Sequence, residues 1–197
     1  VEMEQAPLDR GLKSIRKSLD KLAEKKVLTP EQAEESFRRI APALDLEASV
    51  RDADIVVEAV FEDEGVKKEV FRRIDAAAPP HALLATNTSS ISISAIATAT
   101  RRPEQVIGMH FMNPVPLMKL VEIIRGERTS EETVRQTVAI AQGLGKTVGV
   151  AADYPGFVSN RVLMPMINEA IFCLYEGIAT REDIDTIMKL TMNATMP

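Results

Sequence analysis

The sequence is 197 residues long, with one cysteine, no tryptophan and only two histidines. The lone Cys173 excludes an intrachain disulfide and suits a reducing compartment. No apolar run approaches the ~18 residues that a membrane span requires. The N-terminus, Val1-Glu2-Met3-Glu4, has neither the basic segment nor the apolar stretch of a signal peptide, so the cytoplasm is the default expectation. It also lacks an initiator methionine and opens as if in mid-strand; the sequence reads as an internal piece of a longer chain. Acids outnumber bases, 29 Asp and Glu against 24 Lys and Arg, which argues against a nucleic-acid backbone as the main partner. Repeats and low-complexity segments are missing as well.

What is present is an alternation of short β-branched runs and longer amphipathic stretches. Leu8, Leu12, Ile15, Leu19 and Leu22 recur at helical spacing, with Lys and Arg on the other faces. Thr29-Pro30-Glu31-Gln32 supplies an N-cap, a proline at the first helical position and a capping-box partner, so a second helix starts near residue 30. The nearly continuous apolar run at 54–60 suits a parallel strand covered on both faces. Val66, Val70 and Ile74 then mark a helix that ends before Pro79-Pro80. Further strands are expected at 82–86, 105–110, 120–124 and 147–150, with a helix carrying Val134, Val138 and Ala141 before the last. Strand and helix in this alternation predict a doubly wound α/β sheet. After Asp153-Tyr154-Pro155-Gly156 the pattern turns helical, at about 157–176 and 181–191, with Gly177 as a C-cap and Thr180 as an N-cap. This places a boundary near residue 152, followed by a helical segment too short to build its own core.

In such a sheet ligands bind beyond the carboxyl ends of the strands. Three polar clusters fall there: Phe61-Glu62-Asp63 with Lys67, Asn87-Thr88-Ser89-Ser90, and His110 through Pro114. The sharpest pair is His110 and Glu122. The intervening segment holds Pro114 and Pro116 and should turn back, and pairing about residue 116 sets positions 110 and 122 opposite one another. A carboxylate beside an imidazole orients it and stabilises the imidazolium, as a general base near neutral pH requires. The plainer alternative is a strand-end histidine in a structural hydrogen bond. Asn87-Thr88-Ser89-Ser90 could equally be a turn cluster, and Glu62 and Lys67 an ordinary helix-start acid and a solvated lysine. Asn160 could be a first-turn polar residue and His81 a solvated loop residue. The methionines at 164, 166, 188 and 192 read as core or interface filler, and Cys173 as a buried, inert thiol.

Four blocks, in order, resemble the L-3-hydroxyacyl-CoA dehydrogenase family. They are Val56-Val57-Glu58-Ala59-Val60-Phe61-Glu62, Asn87-Thr88-Ser89-Ser90, Gly108 to Pro116 through Leu120-Val121-Glu122, and Pro155-Gly156-Phe157-Val158-Ser159-Asn160-Arg161. The resemblance implies a Rossmann-type, mainly parallel sheet over residues 1–152, lacking its first βα unit and binding NAD. Residues 153–197 would be the start of an all-helical substrate and dimerisation domain. It implies NAD-dependent oxidation of an L-3-hydroxyacyl-CoA to the 3-ketoacyl-CoA, in fatty acid or butanoate metabolism, with no metal. His110 would be the general base, Glu122 its carboxylate partner, Ser89 a contact to both substrate and cofactor, and Asn160 a group polarising the thioester end. Glu62, Lys67 and Asn113 would contact NAD, and Ser18 and Lys25 the coenzyme A portion. Glu2 would be the acid that closes the second strand and binds the adenosine ribose, with Val1 as the end of that strand. An acyl-CoA thioester is the expected partner, and a homodimer the expected full-length state.

Two departures from the family pattern stand out. The Gly-x-Gly-x-x-Gly loop that should lie ~20 residues before that acid is absent, and Thr191 to Pro197 lacks the expected Gly-Pro continuation. A non-catalytic CoA-binding or structural fragment of the same fold is the alternative from another class. A β-hydroxyacid dehydrogenase of different substrate class is disfavoured by Asn87-Thr88-Ser89-Ser90 together with His110 and Glu122.

Overall fold

The computed structural model describes residues 1–192, and the chain divides into two compact units, the second beginning at Tyr154. Residues 193–197, within the stretch where the Gly-Pro continuation is missing, lie outside the described residues.

The first unit opens with a helical hairpin, α1 (Gln5–Glu24) and α2 (Pro30–Arg38). Arg16 joins the two helices by stacking 3.9 Å over the Phe37 ring while donating to Glu34 at 2.7 Å. The predicted capping box forms in full. Gln32 N–H donates to Thr29 Oγ1 at 3.2 Å and Thr29 N–H to Gln32 Oε1 at 2.8 Å. A short helix α3 (Leu46–Val50), capped by Asp45, follows. It escapes the sequence reading because five residues cannot display a 3.6-residue period.

The sheet contains β1 (Ile55–Glu58), β2 (Leu83–Thr86), β3 (Val106–Phe111), β4 (Leu120–Arg125) and β5 (Thr147–Ala152), in that spatial order. All neighbours run parallel except β3 and β4, which form an antiparallel pair. Between them lie α4 (Glu64–Ala77), the short α5 (Ile93–Ala97) and α6 (Glu131–Gly143). The sheet is α/β, mainly parallel and covered by helices on both faces. Ile107, Met109, Val121 and Ile123 cluster with Ala141 of α6. Their strand neighbours must point the other way, and there a Cβ on Gly108 would meet Ile93 of α5 and Ile124. His110 and Glu122 therefore share the α5 face.

Three expectations need correction here. The run at 54–60 yields a strand of only four residues. That strand is an edge, and Val57 is exposed, because β2 is its single strand neighbour among the described residues. Val1 and Glu2 are not in a strand. Both are exposed, and the Glu2 N–H donates to Ala43 C=O at 3.1 Å.

The second unit consists of α7 (Ser159–Tyr175) and α8 (Arg181–Met192). Gly177 adopts φ +70 after α7, and Thr180 Oγ1 accepts from Asp183 N–H at 3.2 Å, as the sequence predicts. No residue on either helix is buried. Cys173 is accordingly half-exposed rather than buried, and Met164 faces solvent. Met166, Met188 and Met192 instead line an apolar cleft of about 630 Å³ between the two helices. Among the described residues no helix is long and apolar enough to cross a membrane.

Gly108→Ala is expected to lower the unfolding free energy by about 1–3 kcal/mol by overpacking, since its Cβ would sit 2.7 Å from Ile124 Cβ. Thermal unfolding measures this, and an unchanged midpoint would contradict the packing described.

Candidate active site

The carboxyl ends of β1, β2 and β3 lie on one edge of the sheet, and each delivers a polar residue or a polar loop there. His110, one residue from the end of β3, pairs in register with Glu122 of β4. The imidazole Nδ1 lies 2.9 Å from Glu122 Oε2, and both residues are buried. A carboxylate at that distance accepts the Nδ1–H, which makes Nε2 the acceptor nitrogen of the ring. Ser89 Oγ sits 3.1 Å from Nε2, within the reach of a proton transfer to a general base. The dyad read from spacing is thus formed, and the serine predicted from the family blocks stands next to it.

Ser89 belongs to the loop after β2, and one carboxylate organises that loop. Glu62 Oε1 accepts from Ser89 N–H at 2.9 Å, from Ser90 N–H and Oγ at 3.2 Å each, and from the Thr88 hydroxyl. Burial alone would raise the Glu62 carboxyl, but the Thr88 and Ser89 bonds and the Lys67 ammonium outweigh it and hold it at about 2. Glu62 is not the helix cap; Asp63 is, accepting from Val66 N–H at 2.9 Å. Nor is Lys67 solvated. It is 1% exposed; its ammonium donates to Glu58 Oε1 at 2.8 Å and Val60 C=O at 3.3 Å and forms an ion pair with Glu62 Oε2 at 3.3 Å. Glu58 in turn accepts from Val60 N–H at 2.6 Å and from Thr86 Oγ1 at 2.7 Å.

Glu58 and Thr86 have no role in the sequence reading, and Asn87 enters it only as a member of its polar cluster. Asn87 Oδ1 accepts from the Phe111 N–H at 2.9 Å, tying the loop to the end of β3. A signal for Glu58 was available: an acid inside an otherwise apolar strand requires a partner. The remaining candidates lie elsewhere. Asn113 is exposed in the β3–β4 loop, and Ser18 and Lys25 lie on or just after α1, with Ser18 Oγ donating to Ser14 C=O at 3.0 Å. Asn160 is in the first turn of α7, in the second unit. His81 is exposed, 3.2 Å from Asp54.

The family profile described as the 3-hydroxyacyl-CoA dehydrogenase NAD binding domain matches residues 1–154, and that of the C-terminal domain of the same family matches residues 156–197. The chain belongs to the 3-hydroxyacyl-CoA dehydrogenase family. It is 53% identical over 188 residues to a probable 3-hydroxybutyryl-CoA dehydrogenase of Bacillus subtilis, covering 95% of this chain and 65% of that protein. It is 42% identical to the human mitochondrial hydroxyacyl-coenzyme A dehydrogenase, covering 96% of this chain and 62% of the human one. The solved structure of (S)-3-hydroxybutyryl-CoA dehydrogenase from Ralstonia eutropha superposes with a TM-score of 0.95 at 40% identity, over 99% of this chain and 69% of that one. The chain thus spans about two thirds of the length of these dehydrogenases.

The family profile over residues 1–154 is that of an NAD binding domain, and the strand edge offers hydrogen-bonding groups suited to such a ligand. The hydroxyl and amide groups of Ser89, Ser90 and Asn87 collect at or beside the strand edge. The basic group there, Lys67, is committed internally. No Gly-x-Gly-x-x-Gly loop for a pyrophosphate occurs in the sequence.

Two stability effects are expected. Lys67→Met strands Glu58 as a buried, unpaired carboxylate, a loss of about 3–5 kcal/mol readable as a lower urea midpoint. The Glu62 carboxyl is lowered from 4.5 to about 2, so its charge stabilises the folded state above pH 4.5 and that contribution fades as pH falls toward 2. Unfolding of Glu62→Gln at stepped pH should therefore show a shallower acid decline than wild type across that window. Equal slopes would mean the carboxylate is not held this way.

Proposed function

We propose that the chain is the site-bearing part of an NAD-dependent enzyme that oxidises an L-3-hydroxyacyl-CoA to the 3-ketoacyl-CoA and runs the reverse reaction. The observation that carries the reading is the buried Glu122–His110 pair with Ser89 Oγ 3.1 Å from Nε2. With Nδ1–H donated to Glu122, Nε2 is the proton acceptor. The Ser89 hydroxyl marks the position from which a substrate hydroxyl can deliver its proton.

In the forward direction His110 removes the proton from the 3-hydroxyl as C3 loses its hydride and the C–O bond becomes a carbonyl. The bound nicotinamide supplies the hydride acceptor. Glu122 stabilises the imidazolium that results, and its own burial keeps the charge pair out of water. Ser89 donates to the substrate oxygen and orients it toward Nε2. In the reverse direction the imidazolium returns the proton to the oxygen. Asn160, read as a contact to the thioester end, and Ser18 and Lys25, read as contacts to the coenzyme A portion, complete the substrate assignment. An exposed lysine adds little binding energy of its own. Apolar side chains exposed on α7 and α8, such as Val162, Ile171 and Leu190, support a homodimer.

The test is NADH formation at 340 nm from L-3-hydroxybutyryl-CoA and NAD by the full-length protein carrying this sequence. Wild type should turn over, and His110→Gln should lose about 10²–10⁴ in kcat. Binding of the thioester without turnover in wild type would instead favour a non-catalytic module.

A further inference from the structure

Between the sheet edge and Ser89 runs a chain of charge-assisted bonds that the chemistry above leaves unused. At its base the Glu58 carboxylate and the Lys67 ammonium neutralise each other in the interior, at 4% and 1% exposure. Burial makes this pair rigid, because neither group can leave without stranding the other. Lys67 then holds Glu62 Oε2, and Glu62 Oε1 gathers the backbone and hydroxyl donors of residues 88–90. A second strand of the same network arrives from Thr86. Its hydroxyl donates to Glu58 and accepts from Thr88 N–H at 3.2 Å. The loop after β2 is a short polar segment that has no regular structure to fix it. These bonds determine where Ser89 Oγ lies relative to His110.

We propose that Glu62 is a positioning residue that acts through Ser89, with Glu58 and Lys67 as its buried anchor, beyond the cofactor contact that the family resemblance implies for it. The inference rests on the reading of His110 as the base. Its logic is geometric: a reacting group displaced by about 1 Å loses about a hundredfold in rate, and Glu62 is the acceptor that fixes the Ser89 backbone.

The experiment is a double-mutant cycle in the full-length protein carrying this sequence, using Glu62→Ala, Ser89→Ala and the double variant, with Glu62→Gln as a partial replacement. Glu62→Ala should lower kcat about ten- to a hundredfold, a loss that saturating NAD does not restore. The double variant should be no slower than Ser89→Ala. Glu62→Gln, which keeps one acceptor for the loop amides, should recover part of the loss. Additive losses in the double variant, or a raised KM for NAD at unchanged kcat, would overturn the proposal in favour of a cofactor contact alone. An independent readout uses histidine-labelled ¹⁵N NMR of the same proteins without substrate or cofactor, the His110 signal being assigned by its disappearance in His110→Gln. The Nε2 resonance should move in the same direction in Glu62→Ala and Ser89→Ala, and an unmoved signal in Glu62→Ala would refute positioning. If wild type fails to reduce NAD, the functional reading falls, while the resonance still decides whether Glu62 places Ser89.

Discussion

An ammonium group sealed at the end of a β-sheet constrains everything around it. Lys67 cannot be buried unless carboxylates meet it, and the two that do come from opposite sides of the strand-to-helix turn: Glu58 closes β1, and Glu62 precedes α4. That requirement determines how the chain leaves the strand and where the helix begins. It also leaves a second carboxylate oxygen facing the next loop, where it gathers Thr88, Ser89 and Ser90. The polar cluster at the sheet edge is therefore one connected network rather than three separate groups.

The sheet supplies the other half of the site with different physics. His110 and Glu122 meet because β3 and β4 pair antiparallel at these positions. The aliphatic neighbours of both residues are packed against α6 on the far face. A site carried on paired strands is held by the hydrophobic core beneath it. The serine, carried on a loop, needs dedicated hydrogen bonds. The two halves meet at the 3.1 Å contact between Ser89 Oγ and Nε2.

Much of this was legible in the sequence because it follows from period and spacing. Pro114 and Pro116 between two predicted strands, with pairing about residue 116, were enough to place Glu122 opposite His110. The Thr29 to Gln32 box and the Gly177 and Thr180 caps are local chemistry and form as read. What spacing alone did not reveal was decided by burial. Lys67 reads as a surface lysine until the strand acid nine residues earlier is folded against it. The five-residue helices α3 and α5 have no period to detect. Cys173 sits in apolar sequence that suggests a core, yet two helices have too few facing surfaces to bury it; of the methionines read as core or interface filler, Met166, Met188 and Met192 line the α7–α8 cleft and Met164 is exposed. Val57 reads as covered on both faces, but a strand with a single neighbour exposes part of its surface.

The register of β4 against β3 has a consequence for how this chain can vary over time. Sliding β4 by one residue would swing Glu122 toward α6 and bring Val121 or Ile123 beside the imidazole. The same slip would thrust a carboxylate into the cluster of Ile107, Met109 and Ala141. A mutation that disturbs the dyad by this route cannot do so quietly, because it unfolds the protein as well. Selection for folding thus screens the lineage for retention of the acid–imidazole alignment, even during periods when the reaction itself is under no demand.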